Sequence, residues 1–281
     1  MRRLVIRPGA IGDLILTLPA IEALAADYTE VWVASHNVPL VRFADAVYSI
    51  ASTGLDRLEI SGPDACAELV GRLRAFDSIV SWYGAGRPEF RELTAALGLP
   101  FDFLAPLPVP DGCHAADYYL EQVRPLALRR VDAQPRVPCS VQRRQAAVIH
   151  PFSGSPRKNW PLERFRELAR RLERLLPVEW CAGPEEDLAE AKRFDDLYAL
   201  ACWLAGARLY AGNDSGITHL AAAAGSPVVA LFGPTSPRMW APRGARVRVV
   251  STAQIGQPME GIGVDEVWQA VRSLAAELGL P

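Results

Sequence analysis

The chain has 281 residues, half of them apolar, with a formal net charge of −2. That length suits about two domains of ~150 residues, the apolar content excludes a disordered chain, and the balanced charge excludes a nucleic-acid or polyanion surface overall. The five cysteines (Cys66, Cys113, Cys139, Cys181, Cys202) lack CxxC spacing, which argues against a disulfide scaffold or a zinc site and fits a reducing compartment.

Residues 4–6 form a short β-rich run and predict a central parallel strand. A glycine loop with Gly9 and Gly12 follows, then a helical pattern over 14–26 with a local interruption at Pro19. The next strand is expected at 31–34, with Glu30 at the end of the preceding helix. Helices are expected at 64–75 and 87–97 around a strand at 78–81, then a Pro-rich loop at 100–112 and a helix at 115–128. The stretch with Pro135 and Pro138 has few core residues and sets the division: a first domain 1–128, a linker 129–145 and a second domain 146–281. The second series has strands at 147–150, 178–181, 208–211, 228–232 and 246–250. Its helices are expected at 162–175, 185–194, 197–205, 216–224 and 264–278, the last packing back on the first domain. The alternation predicts an α/β protein: two Rossmann-like domains with parallel sheets facing across a cleft. The start MRRLVIRPGAIG shows no signal-peptide pattern, and no run approaches the ~18 apolar residues of a membrane span.

Chemistry concentrates in loops after strands. Gly9-Ala-Ile-Gly-Asp13 lacks the dinucleotide GxGxxG pattern, which makes a dehydrogenase a weak reading. Asp13 falls at a helix start, where it reads either as a cap or as a general base for a sugar hydroxyl. In HPFSGSPRKNWP (150–161), Ser153, Gly154 and Ser155 can offer amides and hydroxyls to phosphate oxygens. Lys158 is one of two lysines, with Lys192, in a chain of 28 arginines; it is either a solvated loop residue or a compact charge for phosphate. Asp214, Ser215 and Gly216 open a further helix and either cap it or face an anion there. His219 follows in the first turns, as a core histidine or a donor to a diphosphate, and Thr235 sits in a third polar loop. No DxD-like carboxylate pair accompanies these loops, so no metal or cofactor is required and dependence on Mg²⁺ is left open. Between Arg124 and Arg144 lie six arginines and one aspartate, either a solvated linker or a patch for an anionic surface.

Three stretches together resemble glycosyltransferase family 9, the lipopolysaccharide heptosyltransferase family: LVIRPGAIGDLILTLPAI from residue 4, HPFSGSPRKNWP at 150–161 and GNDSGITHLAAAAGSPVVALFGPTSP at 212–237. The resemblance implies a GT-B fold and inverting transfer of a sugar, heptose, from an ADP-linked donor to an amphiphilic lipopolysaccharide core acceptor. It implies Asp13 as catalytic base, and Ser153, Lys158, Asp214, Ser215, Gly216 and His219 around the donor diphosphate and sugar. Glu186 in the GPEED loop would reach the nucleotide ribose, with the match ambiguous by one residue. Ser153-Gly154 replaces the usual Thr-Thr pair, and Ser215 a threonine. The expected partners are a nucleotide sugar, the lipid-linked acceptor and, peripherally, the inner face of the inner membrane, from a cytoplasmic location, with no nucleic acid. The competing readings are a nucleotide-sugar epimerase of the same architecture and a non-catalytic sugar-nucleotide-binding protein.

Overall fold

The computed structural model describes residues 1–109 and 112–280, with Asp64 as backbone only. Two positions of the predicted loop at 100–112 therefore lie outside the described residues. The chain divides into two compact units, Met1–Ala133 and Gln134 onward.

The first unit is a parallel sheet of β1 (Arg2–Arg7), β2 (Tyr28–Val33), β3 (Ala46–Ser49), β4 (Ser78–Ser81) and β5 (Phe101–Phe103), in the order β3-β2-β1-β4-β5. Its helices are α1 (Ile11–Ala23), α2 (Arg57–Ala65), α3 (Ala67–Arg74), α4 (Pro88–Ala96) and α5 (Ala115–Val123). β1 is central because Leu4, Val5 and Ile6 are apolar without alternation and buried on both faces. Leu4, Ile6, Trp32, Leu73, Ile79 and Phe90 form the core on one of those faces. On the other, α1 packs against α5, running through Pro19 without a break.

Three features depart from the sequence reading. β3 and β5 are edge strands of four and three residues, too short and too exposed to show a period. The helix predicted at 64–75 is α3, beginning at Ala67, and the preceding helix α2, which ends at Ala65, was not foreseen. Glu30 lies inside β2, where its buried carboxylate accepts from Trp32 Nε1 at 2.6 Å, Arg72 Nη2 at 2.6 Å and the Tyr28 hydroxyl at 3.2 Å.

The second unit is a parallel sheet of β6 (Ala147–His150), β7 (Val178–Trp180), β8 (Leu209–Asn213), β9 (Val228–Phe232) and β10 (Val247–Ser251), ordered β10-β9-β8-β6-β7. Its helices are α6 (Leu162–Leu172), α7 (Leu197–Ala205), α8 (Gly216–Ala223), the short α9 (Pro237–Trp240) and α10 (Val264–Glu277). On α6, Phe165, Leu168, Ala169 and Leu172 recur at helical spacing and fill the core with Ile149, Leu231 and Val271. The terminal helix α10 packs on α6 and β10 of its own unit. The helix expected at 185–194 does not form. Instead Lys192 donates its amide to Trp180 O at 2.8 Å and takes the Ala182 amide at 3.1 Å, so the segment extends the edge of β7.

Residues 134–146 are tied into this unit. Val137 donates to Ala223 O at 2.9 Å and Arg144 to Gly206 O at 2.8 Å. Among the described residues, no helix is long and apolar enough to cross a membrane.

Both sheets reverse their winding beside the first strand of their unit, between β1 and β4 and between β6 and β8. In open parallel sheets ligands bind outside the carboxyl ends of the strands at such a switch point. Gly9, Asp13, His150 and Asp214 all sit at or just past those ends.

Candidate functional site

The switch point of the second unit is built around Asn213, the last residue of β8, which is completely buried. Its Nδ2 donates to Pro151 O at 2.7 Å, and its Oδ1 accepts the Trp160 amide at 3.1 Å. One side chain thus clamps both ends of the loop from β6 to α6. Trp160 is anchored beyond that by Nε1 to Ile262 O at 2.9 Å and by an edge contact with Phe165. Inside the loop, Ser153 Oγ donates to Ser155 O at 2.8 Å and accepts the Ser155 amide at 3.3 Å. Gly154 is exposed at the tip, with open space where a Cβ would stand. A single 3₁₀ turn, Pro156–Lys158, then aims Lys158 back at β8.

Lys158 Nζ lies 2.7 Å from Asp214 Oδ2, and Thr235 Oγ1 donates to the same oxygen at 2.5 Å. Asp214 is buried, with a side chain 7% exposed, so this pairing satisfies a carboxylate that burial would otherwise destabilise. The Lys158 side chain is 30% exposed, and its ammonium uses one of its three N–H groups there and keeps two for another acceptor. Ser215 caps α8: its Oγ accepts the Thr218 amide at 3.3 Å and meets Thr218 Oγ1 at 3.1 Å. The first amides of α8, from Gly216 and Ile217, have no acceptor within the helix and carry its positive dipole end. His219 is buried at the close of that first turn. Gly233, before Thr235, permits a close chain crossing: a Cβ there would stand 2.7 Å from Met259 Sδ and 2.9 Å from Gln257 O. Three loops therefore bring an ammonium, a hydroxyl and free helix amides around one paired carboxylate, an arrangement suited to a phosphate-class anion.

Glu186 belongs to the same edge of the sheet. Its Oε2 accepts the Gly183 amide at 2.5 Å and lies 3.2 Å from Nε2 of His150, the last residue of β6. Burial pushes the Glu186 carboxyl up, but the hydrogen bonds from His150 and Gly183 outweigh it and hold it below the usual glutamate range. Glu185, its neighbour in the chain, is exposed. Asn213 and the His150–Glu186 contact were not singled out from the sequence. A buried His and Asn at strand ends carry no periodic signal, and their partners lie far away in the chain.

In the first unit, Gly9 has φ +135°, a conformation that favours glycine, and a Cβ there would meet Asp13 Oδ2 at 3.2 Å. Asp13 is half-buried at the third position of α1 and accepts the Ala10 amide at 3.2 Å, so it does cap the helix. Gly12 is the second residue of α1. Arg7, also unforeseen, ends β1 with its guanidinium buried beside this turn. Its Nε donates to Thr17 Oγ1 at 2.9 Å, Thr17 Oγ1 donates in turn to Asp13 O at 2.6 Å, and the charge stands 4.9 Å from the Tyr119 ring centroid. Burial pushes the Tyr119 hydroxyl up to about 12.

Among the described residues no group of three His, Cys, Asp or Glu converges as a metal site. The arginine-rich stretch is not one surface. Arg144 pairs with Glu179 and stacks 4.4 Å from the Trp203 ring centroid, and Arg124 pairs with Glu121 at 3.2 Å. Arg129, Arg130 and Arg143 are exposed.

Two parallel five-stranded α/β units, each with a polar loop cluster at its switch point, define the GT-B class of fold. The model of glycosyltransferase family 9 (heptosyltransferase) matches residues 113–261, more than half of the chain, and the chain belongs to that family. Lipopolysaccharide heptosyltransferase 1 of Pseudomonas aeruginosa is 39% identical over 94 residues, a match covering 28% of this chain and 26% of that protein. The chain thus spans about a quarter of that relative's length in the aligned segment. The structure of E. coli heptosyltransferase WaaC with ADP is similar with TM-score 0.74 and 20% identity, covering 98% of this chain and all of that one. A family 9 glycosyl transferase from Veillonella parvula gives TM-score 0.75 and 20% identity, covering 98% and 97%.

Two outcomes test the site as built. Asn213→Ala leaves the Pro151 carbonyl and Trp160 amide buried and unpaired, at ~1–3 kcal/mol each. Urea denaturation should show a loss of that order, and an unchanged midpoint would mean the loop is held otherwise. For Glu186, a depressed folded-state pKa contributes stability that is present above the unfolded value and lost as pH falls through the folded one. His150→Phe removes a lowering contact and keeps the burial, so the Glu186 carboxyl should titrate at higher pH by carbon-detected NMR. An unmoved titration would show that the Gly183 amide suffices.

Proposed function

We propose that this family 9 protein transfers a sugar, heptose, from an ADP-linked donor to a lipopolysaccharide core acceptor, with inversion. The observation that carries the reading is the Lys158–Asp214–Thr235 cluster beside the free amides of α8. In this reading the unit from about residue 146 holds the donor, and residues 1–128 take the acceptor. Lys158 and the Gly216 and Ile217 amides contact the diphosphate. His219 stands behind them, and Asp214 with Thr235 fixes where the ammonium sits. Ser153 and Ser215 shape the loop and cap the helix, while Gly154 offers its backbone amide and Ser155 its hydroxyl to the phosphates. Glu186, held by His150, meets the ribose hydroxyls.

The chemistry is a direct displacement at the anomeric carbon. Asp13 takes the proton of the acceptor hydroxyl, for which its carboxylate must come within ~3 Å. Gly9 and Gly12 allow that close approach. The leaving ADP gains negative charge as the glycosidic bond breaks, so Lys158 and the α8 amides bind it more strongly in the transition state than before. Residence is proposed to be cytoplasmic, with peripheral contact at the inner face of the inner membrane through exposed arginines such as Arg129 and Arg130.

A transfer assay with ADP-heptose and other nucleotide sugars against truncated lipopolysaccharide cores tests the reading. Turnover of the nucleotide sugar without acceptor would favour an epimerase. Donor binding without transfer would favour a binding protein.

Asp13→Asn keeps an oxygen for the Ala10 amide, so the cap survives while the base is lost. Calorimetry should find donor affinity nearly unchanged and kinetics a turnover lower by ~10²-fold or more. Near-normal turnover would leave Asp13 a cap only. Lys158→Ala should weaken ADP binding by ~1.5–3 kcal/mol, the scale of a charge-assisted contact, and leave adenosine binding almost unaltered. Equal losses for both would move Lys158 away from the phosphates.

A further inference from the structure

The amino ends of the strands of the second unit, at the opposite edge of that sheet from the Lys158 loop, carry a second basic cluster. Arg208 immediately precedes β8, Arg246 precedes β10, and Arg143 lies four residues before β6. With Pro227, Glu277 and Leu278 they line a cavity of about 350 Å³. Glu277 is the one carboxylate in that lining, and Arg248 holds it in an ion pair. Arg208 gives Nη2 to Leu278 O at 3.1 Å, at the end of α10, while its Nε is buried with no hydrogen-bond partner. Arg143 and Arg246 are exposed, and among the described residues no carboxylate pairs with any of the three.

Three guanidinium groups around one cavity repel one another, and a buried unpaired N–H costs free energy. An anion in the cavity would relieve the repulsion among the three. Guanidinium forks match the oxygens of phosphate in paired hydrogen bonds, and several forks from different directions suit a tetrahedral group better than one planar carboxylate. We propose that Arg143, Arg208 and Arg246 form a second anion site that takes a phosphate group and is separate from the donor loops. The phosphate belongs either to an anionic lipid headgroup or to a free phosphate ion. The site goes beyond the transfer reading and does not depend on it.

Arginine-directed labelling with phenylglyoxal, read residue by residue by mass spectrometry on the full chain, tests the site. ADP is kept saturating so that phosphate at the donor loops does not enter the readout. Inorganic phosphate or phosphatidylglycerol vesicles should slow labelling of Arg143 and Arg246 several-fold more than that of Arg170 and Arg174, two exposed arginines of the same unit with no proposed membrane contact. Phosphatidylcholine vesicles should not. Protection by both probes, or by inorganic phosphate alone, supports the site and names a free phosphate as a sufficient ligand. Protection by phosphatidylglycerol vesicles alone supports it and names the lipid headgroup. Equal slowing of all four arginines, or none, overturns it. In the double variant Arg143→Ser/Arg246→Ser, phosphate affinity at Arg208 should fall about tenfold or more, the scale of a lost charge-assisted pair, with ADP affinity unchanged. Retained protection of Arg208 in that variant would equally overturn the site.

Discussion

The β6–α6 loop depends on one buried side chain, the Asn213 amide. It satisfies a carbonyl at the start of the β6–α6 loop and an amide at its end, in hydrogen bonds that are both buried. A loop of that length would otherwise sample many conformations, at ~1–2 kcal/mol of backbone entropy per residue fixed. With both ends clamped, the short turn at Pro156 is enough to set Lys158 on Asp214. The reversal of sheet order makes this possible, because β6 and β8 are direct neighbours and their ends open onto one crevice.

The electrostatics of the crevice follow from that geometry. Asp214 is too buried to stand alone as an anion, and Lys158 with Thr235 neutralises and satisfies it. The pair positions an ammonium while adding no net charge, so attraction for an incoming anion comes from the remaining N–H groups and the α8 dipole end. A lysine suits this task in an arginine-rich chain. A compact ammonium can share itself between a carboxylate and a phosphate, whereas a planar fork would commit to one partner. On the same edge, His150 and Gly183 keep Glu186 an acceptor despite its burial.

The first unit repeats the switch-point plan with different chemistry. The loop after β1 holds a carboxylate at a helix start in place of a cation, and Gly9 gives it room. Capping and catalysis are compatible for Asp13, since one oxygen takes the Ala10 amide and the side chain remains half exposed. The buried Arg7 charge, tied through Thr17 to the Asp13 backbone, stiffens the turn from beneath.

Much of this was legible in the sequence. β1, β6 and β9 read as strands because a parallel strand buried on both faces is an unbroken apolar run, and α6 read as a helix because one face repeats every three to four residues. Those signals are local and survive in one dimension, as do the glycine loops and the motif residues Asp13, Lys158 and Asp214. The short edges β3 and β5 were hidden because half-exposed strands of three or four residues have no period to read. The segment at 185–194 has helical composition, yet pairing beside β7 won over that propensity, and Glu30 moved from a helix end to a strand interior for the same reason. Only the tertiary structure decided which groups meet: Lys158 with Asp214, His150 with Glu186, Arg143 with Arg208 and Arg246. These partners are far apart along the chain and joined by sheet order, which no local pattern encodes.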